Sequence, residues 1–342
     1  MFLGMNDNIL WFLVLGGVIS GYAILDGFDL GAGALHLFLK KEESRRIALN
    51  AIGPVWDGNE VWLVIAGGVL FAGFPVAYAA IFSAFYVPFM VFMMGLIFRA
   101  ISIEFRSKEQ MLWWRKTWDI AYAVSNIVIA LSLGLMLGNV ALGIPLNEQH
   151  EFSGNWLSFF NPFAIMIAIT TLALFMMHGA IYLAMKTENR LYTKLTLLAK
   201  DFTIFFVLSF IVSTIYTLLY IPHLSDQLRN NSSFFILPLI MIFAIANIPR
   251  QLKKQNYRFA FASSAITIAT LLMMVAIEVF PYIVYSPHTP ANSITISNAA
   301  SSPKTMKILL IIALIGTPLV AMYTTFVFWT FKGKVKLDEM SY

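Results

Sequence analysis

Apolar residues run through this chain in long stretches separated by short polar segments. Nine stretches, at 9–33, 53–74, 77–101, 118–142, 161–185, 202–221, 233–249, 259–281 and 307–331, each come to about the 20 residues a helix needs to cross a hydrocarbon core. The pattern predicts an all-α polytopic membrane protein with nine transmembrane helices in one integral domain, 1–342. Helices one to four (9–142) and five to eight (161–281) are expected as two four-helix bundles. Helix nine (307–331) is expected at the periphery. Sequence identity between the halves is too weak to define a repeat.

The polar segments set an orientation. Of the 23 Lys and Arg residues, all but Arg229, Lys304 and Lys307 fall after stretches one, three, five and seven or in the C-terminal tail. Basic residues gather on the cytoplasmic side, so the N-terminus is expected outside and the C-terminus in the cytoplasm. Met1 to Asn8 lacks a Lys or Arg and the first stretch is too long for a signal h-region, so it is kept as a span. The longer outer loops, 143–160 and 282–306, are polar, and the uncharged run Ser293 to Ser302 is expected to be ordered.

Composition narrows the class. Only 12% of the 342 residues are charged, 59% are hydrophobic and the mean hydropathy is +0.76, whereas a soluble domain carries about 25% charged residues. The absence of cysteine excludes disulfides, thiolate ligands, iron–sulfur clusters and thioether-linked haem. The net charge of +5 is spread over short loops rather than one patch, so nucleic acid is not an expected partner. Trp113, Trp114, Trp118, Trp156 and Trp329 fall near span ends, as an aromatic belt does.

Against this background the charged residues inside the spans stand out. Asp57 and Glu60, in Trp56-Asp57-Gly58-Asn59-Glu60, lie three residues apart on one helical face. An unpaired carboxylate costs ~2.5–3.5 kcal/mol or more at the bilayer centre. By depth, Asp26, Asp29, Asp57, Glu60, Arg99, Glu104 and Asp119 all belong to the cytoplasmic half of the first bundle. Two readings stand for the carboxylates. They handle protons, with Asp57, Asp26, Asp29 and Glu60 as candidates, or they are structural. For Asp26 and Asp29 the structural reading is a helix end pinned by Lys40 or Arg45. Arg99 is expected to neutralise one carboxylate and is grouped with Glu104 and Asp119 as ion-pair or structural residues.

No metal-ligand set is apparent. None of His36, His150, His178, His223 and His288 shares a helical face with another histidine at i+3 or i+4. His178, alone in span five, is expected to be packed or hydrogen-bonded, and the 17 Met residues to be packing. Gly67-Gly68 and Gly31-x-Gly33 are expected sites of close helix packing.

The motifs Asp26-Gly27-Phe28-Asp29-Leu30-Gly31, Trp56-Asp57-Gly58-Asn59-Glu60-Val61-Trp62-Leu63, Ala66-Gly67-Gly68-Val69-Leu70-Phe71-Ala72, Phe98-Arg99 and Phe105-Arg106-Ser107-Lys108 resemble subunit II of the cytochrome bd-type quinol oxidases. His178-Gly179-Ala180-x-Tyr182-Leu183 and the Ser293-to-Ser302 loop resemble the same family. The resemblance implies a subunit of a terminal oxidase in the bacterial cytoplasmic membrane, which oxidises quinol and reduces O₂ to water with protons from the cytoplasm. It implies that this chain binds no haem. Subunit I would hold two haem b and one haem d and pair with it as a heterodimer, with very small single-helix subunits and membrane lipid as further partners. Asp57 would belong to a proton route toward subunit I. Trp56 and Trp62 are candidates for the subunit interface or an oxygen path. The family also accepts Gln at the position of Glu60. A proton-coupled transporter and a purely structural scaffold of the oxidase remain as alternatives.

Overall fold

The computed structural model describes residues 6–337. Its helices are α1 (Asp7–Ala34), α2 (Glu42–Ile52), α3 (Trp56–Gly73), α4 (Pro75–Ala84), α5 (Tyr86–Phe105), α6 (Leu112–Leu142), α7 (Pro162–Lys186), α8 (Asn189–Tyr220), α9 (Asp226–Asn230), α10 (Ile236–Lys253), α11 (Tyr257–Val279) and α12 (Pro303–Thr330). Among the described residues, eight helices are long and apolar enough to cross a membrane, or nine with the pair α2–α3, bent by 49°. The chain is an all-α, multi-pass membrane protein.

Local chemistry explains the helix ends. Pro75 opens α4 at its first position, where its missing N–H costs nothing, and it holds Phe74 outside the helical region, so α3 stops at Gly73. Asn161 caps α7 by accepting from the Ala164 N–H, with Pro162 following; Ser302 caps α12 by accepting from Thr305, with Pro303 following. Gly143, at φ +105°, ends α6.

Several predicted limits shift. The third stretch is two helices, α4 and α5, broken at Phe85. The sixth begins at Asn189 rather than 202, because a helix that starts outside hydrocarbon tolerates Lys194, Lys200 and Asp201 where hydropathy does not register it. The amphipathic α2 precedes α3 and buries Ala48, Leu49, Ala51 and Ile52.

The helix α1 is the hub and packs against α3, α6, α7, α11 and α12. The helices α5 and α6 pack together, α8 lies on α7, and α10 lies on α11. The α1–α7 crossing is close because it is made of glycine: a Cβ on Gly31 would fall 1.8 Å from the Phe175 carbonyl oxygen, and one on Gly179 2.4 Å from the Ala32 nitrogen. Phe28 stacks on Tyr182 beside it at 4.0 Å. Gly33 likewise admits Asn126. The expectation for Gly67-Gly68 is corrected, since a Cβ on either meets open space within this chain.

One end of the helix group is covered by a short antiparallel pair, β1 (Tyr282–Val284) with β2 (Ile294–Thr295), whose Ile283, Val284 and Ile294 are buried. On the opposite side the tail after α12 docks on the end of α7. Lys334 Nζ donates to the Thr187 carbonyl at 2.7 Å, and the Val335 N–H donates to the Lys186 carbonyl at 2.9 Å, satisfying carbonyls that a helix end leaves free.

Gly31→Ala is expected to separate α1 from α7 and to destabilise the protein by ~1–3 kcal/mol or more, read as a lowered melting midpoint of the purified complex.

Candidate functional site

Charged side chains inside the helices gather in two clusters. The first is built on α1. Tyr22, Asp26 and Asp29 follow one another at i, i+4 and i+7 and so share a face, and all are buried. Arg99 of α5 meets them with a bidentate pair to Asp26, Nη1 to Oδ2 at 3.0 Å and Nη2 to Oδ1 at 2.6 Å. Both side chains have zero exposure. Arg99 Nη2 is 3.9 Å from Asp29 Oδ2, and its Nη1 is 3.9 Å from Glu60 Oε2. The helix α3 closes the cluster: Asn59 Nδ2 donates to Asp29 Oδ2 at 2.7 Å and to the Leu25 carbonyl at 3.3 Å, and the Trp56 ring centroid lies 5.9 Å from the Arg99 guanidinium carbon.

One guanidinium thus faces three carboxylates. Asp29 Oδ1, Arg99 Nε and Tyr22 Oη are buried without a protein hydrogen-bond partner. Buried polar atoms of this kind are met by water or, on a carboxylate, by a proton. Glu60 is the member nearest the surface, with a side chain 22% exposed.

Asp57, three residues before Glu60, is exposed. It heads a stripe along the outside of α3, with Val61, Val64, Gly68 and Phe71 exposed at helical spacing after it. The sequence places Asp57 and Glu60 on one side of α3; in the structure Glu60 lies at the edge turned toward Arg99 while Asp57 stands on the exposed stripe. Trp62 packs on α1, its ring filling the space a Cβ on Gly21 would take, and Trp56 sits against Arg99.

The second cluster centres on Asp119 of α6, which is buried. Asp119 Oδ1 accepts from Arg106 Nε at 2.6 Å and lies 2.5 Å from His36 Nε2, while Oδ2 accepts from Arg45 Nη1 at 2.9 Å. Arg106 Nη2 also reaches Glu42 at 2.9 Å, and Glu42 meets Arg115 Nη1 at 3.2 Å. Tyr122, one turn along α6, sets its ring edge-on to His36 at 5.1 Å, and Tyr122 Oη and His36 Nδ1 have no protein partner.

The pinning of Asp26 and Asp29 by Lys40 or Arg45 is corrected: their partners are Arg99 and Asn59, and Arg45 binds Asp119 and the Leu39 carbonyl instead. Asp119 is separate from the Asp26 group, and Glu104 is exposed. The sequence assigns no individual role to Tyr22, Asn59, His36 or Arg106, and it pairs Arg45 with the wrong carboxylates. Arg106 had a signal, since Arg99, Ser102, Ile103 and Arg106 follow the i, i+3, i+4, i+7 pattern of one helical face, and all four are buried.

His178 and His150 are engaged outside these clusters. His178 has both ring nitrogens in contacts, Nδ1 with Ser264 Oγ at 2.6 Å and Nε2 with the Ile24 carbonyl at 3.1 Å, and stacks on Phe261. His150 Nδ1 faces the Asn292 carbonyl at 2.9 Å. Among the described residues no group of three or more His, Cys, Asp or Glu side chains is arranged to hold a metal ion.

Comparison with known proteins bears on this arrangement. The family described as cytochrome bd terminal oxidase subunit II matches residues 7–331. The chain is 28% identical to cytochrome bd-I ubiquinol oxidase subunit 2 of Escherichia coli strain K12, over 97% of this chain and 96% of the relative. It is 31% identical to the probable cytochrome oxidase subunit 2 of Haemophilus influenzae, over 93% and 92%. It is 28% identical to cytochrome bd ubiquinol oxidase subunit 2 of Bacillus subtilis, over 96% and 97%. The fold is shared with a chain in the structure of the bd oxidase from Geobacillus thermodenitrificans, with a TM-score of 0.80 at 18% identity, covering 96% of this chain and 99% of that one. With the match running over nearly every helix described above, the chain belongs to the cytochrome bd terminal oxidase subunit II family.

Proposed function

We propose that this chain is the haem-free partner in a quinol:O₂ oxidoreductase of the bacterial cytoplasmic membrane. It supports assembly of a haem-bearing subunit I, which holds two haem b and one haem d, and supplies that subunit with protons from the cytoplasm. The observation that carries the proton role is the series of carboxylates from the buried Asp26–Arg99–Asp29 group, through partly exposed Glu60, to exposed Asp57 one turn away on α3. Full ionisation of three carboxylates around one guanidinium would leave two negative charges uncompensated at membrane depth, which is costly. Bound protons remove that cost, so the cluster suits the holding and release of protons. Asp57 and the open glycines Gly67 and Gly68 on the same helix suit close approach of a second protein rather than lipid tails.

The engagement of both His178 nitrogens, and of His36 Nε2 by Asp119, supports the haem-free reading. In the complex the haems supply the oxygen chemistry; this chain's residues hold and orient protons and exclude lipid. We read the helices as one domain of two four-helix bundles, α1, α3, α5 and α6 and α7, α8, α10 and α11, joined by close packing of α7 on α1 and α6, with α12 peripheral against α1 and α3. The basic loops support a cytoplasmic C-terminus. Small single-helix subunits and lipid complete the proposed assembly.

The structural reading is favoured by one observation, the bidentate Arg99–Asp26 pair, and the two roles separate by mutation. Asp57→Asn is expected to lower oxidase turnover by at least ~tenfold with the haem spectrum of the purified complex unchanged; normal turnover and proton uptake in reconstituted vesicles would defeat the proton role. Arg99→Gln leaves Asp26 unpaired in the core, at a cost of ~3–5 kcal/mol, and is expected to reduce recovery of the assembled complex. Recovery should return in part in Arg99→Gln/Asp26→Asn. For orientation, the natural chain has no cysteine. Ser297→Cys should react with an impermeant maleimide on intact cells, and Ser107→Cys only after permeabilisation.

A further inference from the structure

Beside the Asp119 cluster lies a cleft of about 470 Å³ between the end of α1, the start of α2 and the first turns of α6. Its polar wall carries Arg45, Arg115 and Lys116. Its two carboxylates are already engaged: Asp119 by His36, Arg45 and Arg106, and Glu42 by Arg106 and Arg115. With Arg106 behind them, four cations stand against two carboxylates, so an excess of positive charge remains. Lys116 is exposed and makes no ion pair among the described residues.

The remaining wall is apolar and open. Leu37 is 41%, Leu112 85% and Ile120 43% exposed. Leu112, Lys116 and Ile120 recur at i, i+4 and i+8 along α6, so a cation is framed by apolar side chains on one helical stripe. Trp113 and Trp114 lie next to this stripe, as tryptophans do at headgroup level. A soluble anion has no use for the apolar wall, and a neutral lipid has none for the charge.

We propose that this cleft binds the phosphate of an anionic phospholipid between Arg45, Arg115 and Lys116, with the acyl chains lying along Leu112 and Ile120. The bound lipid reinforces the junction of α2 with α6. The site rests on the proposed orientation only in belonging to the inner leaflet, and that orientation is read independently by cysteine labelling.

The test uses the intact oxidase complex in phosphatidylcholine nanodiscs doped with photoactivatable phosphatidylglycerol or with phosphatidylcholine of the same chains. Cross-links are mapped by peptide mass spectrometry. Labelling of residues 112–120 should favour the anionic lipid by at least about fivefold, should fall about fivefold in Lys116→Gln and further in Arg115→Gln/Lys116→Gln, and should persist in millimolar inorganic phosphate. Both variants keep Asp119 and its partners, and an unchanged visible spectrum and elution volume establish that they assemble. Equal labelling by the two lipids, unchanged labelling in the double variant, or displacement by inorganic phosphate would overturn the assignment.

Discussion

The bidentate pair between Arg99 and Asp26 is the constraint on which the rest of the structure depends. Both groups are completely buried, and the helices that carry them, α5 and α1, otherwise touch little. The pair therefore acts as a strut across the helix group rather than as a by-product of packing. An arginine at this depth is tolerable only with its guanidinium satisfied, and the planar fork of Asp26 does that with two parallel hydrogen bonds. Once α5 is tied to α1, α3 must fold over the site so that Asn59 can serve Asp29 and Trp56 can cover the guanidinium.

The same helix α5 serves the second cluster. Arg106 lies two turns beyond Arg99 and binds Asp119 of α6 and Glu42 of α2. One helix thus links α1 deep in the membrane with α2 and α6 at the surface. Tyr122 sits between the two centres, against His36 on one side. The charge in this protein is concentrated where α1, α3, α5 and α6 meet, while α7, α8, α10 and α11 meet through hydroxyl, amide and aromatic contacts such as Asn247 with Ser263 and His178 with Phe261.

The helices were legible in the sequence because a bilayer demands long apolar runs, and the hydropathy of 161–185 or 307–331 leaves no other reading. Boundaries were less legible wherever a helix continues past the hydrocarbon, as α8 does, or where one apolar stretch breaks into two helices, as α4 and α5 do at Phe85. The carboxylates inside the spans could be named, because charge inside a membrane is rare enough to mark itself. Their partners could not. Arg45 is nearer in sequence to Asp29 than Arg99 is, yet the chain turns at His36–Phe38 and carries Arg45 away to Asp119. Asn59 drew no notice because an amide is unremarkable by composition, and its role appears only when α3 is laid on α1. Gly67-Gly68 looked like packing glycines, and within the chain they face open space.

The central claim is that protons bound within the Arg99 cluster move during turnover. Infrared difference spectroscopy of the intact oxidase, fully oxidised minus fully reduced, reads this directly through the carbonyl stretch of protonated carboxyl groups and its shift in deuterium oxide. The account predicts a carboxyl band that shifts in deuterium oxide and is lost or displaced in Glu60→Gln with the haem bands unchanged. A difference spectrum in which no carboxyl band responds to substitution of Glu60, Asp29 or Asp57 would contradict it.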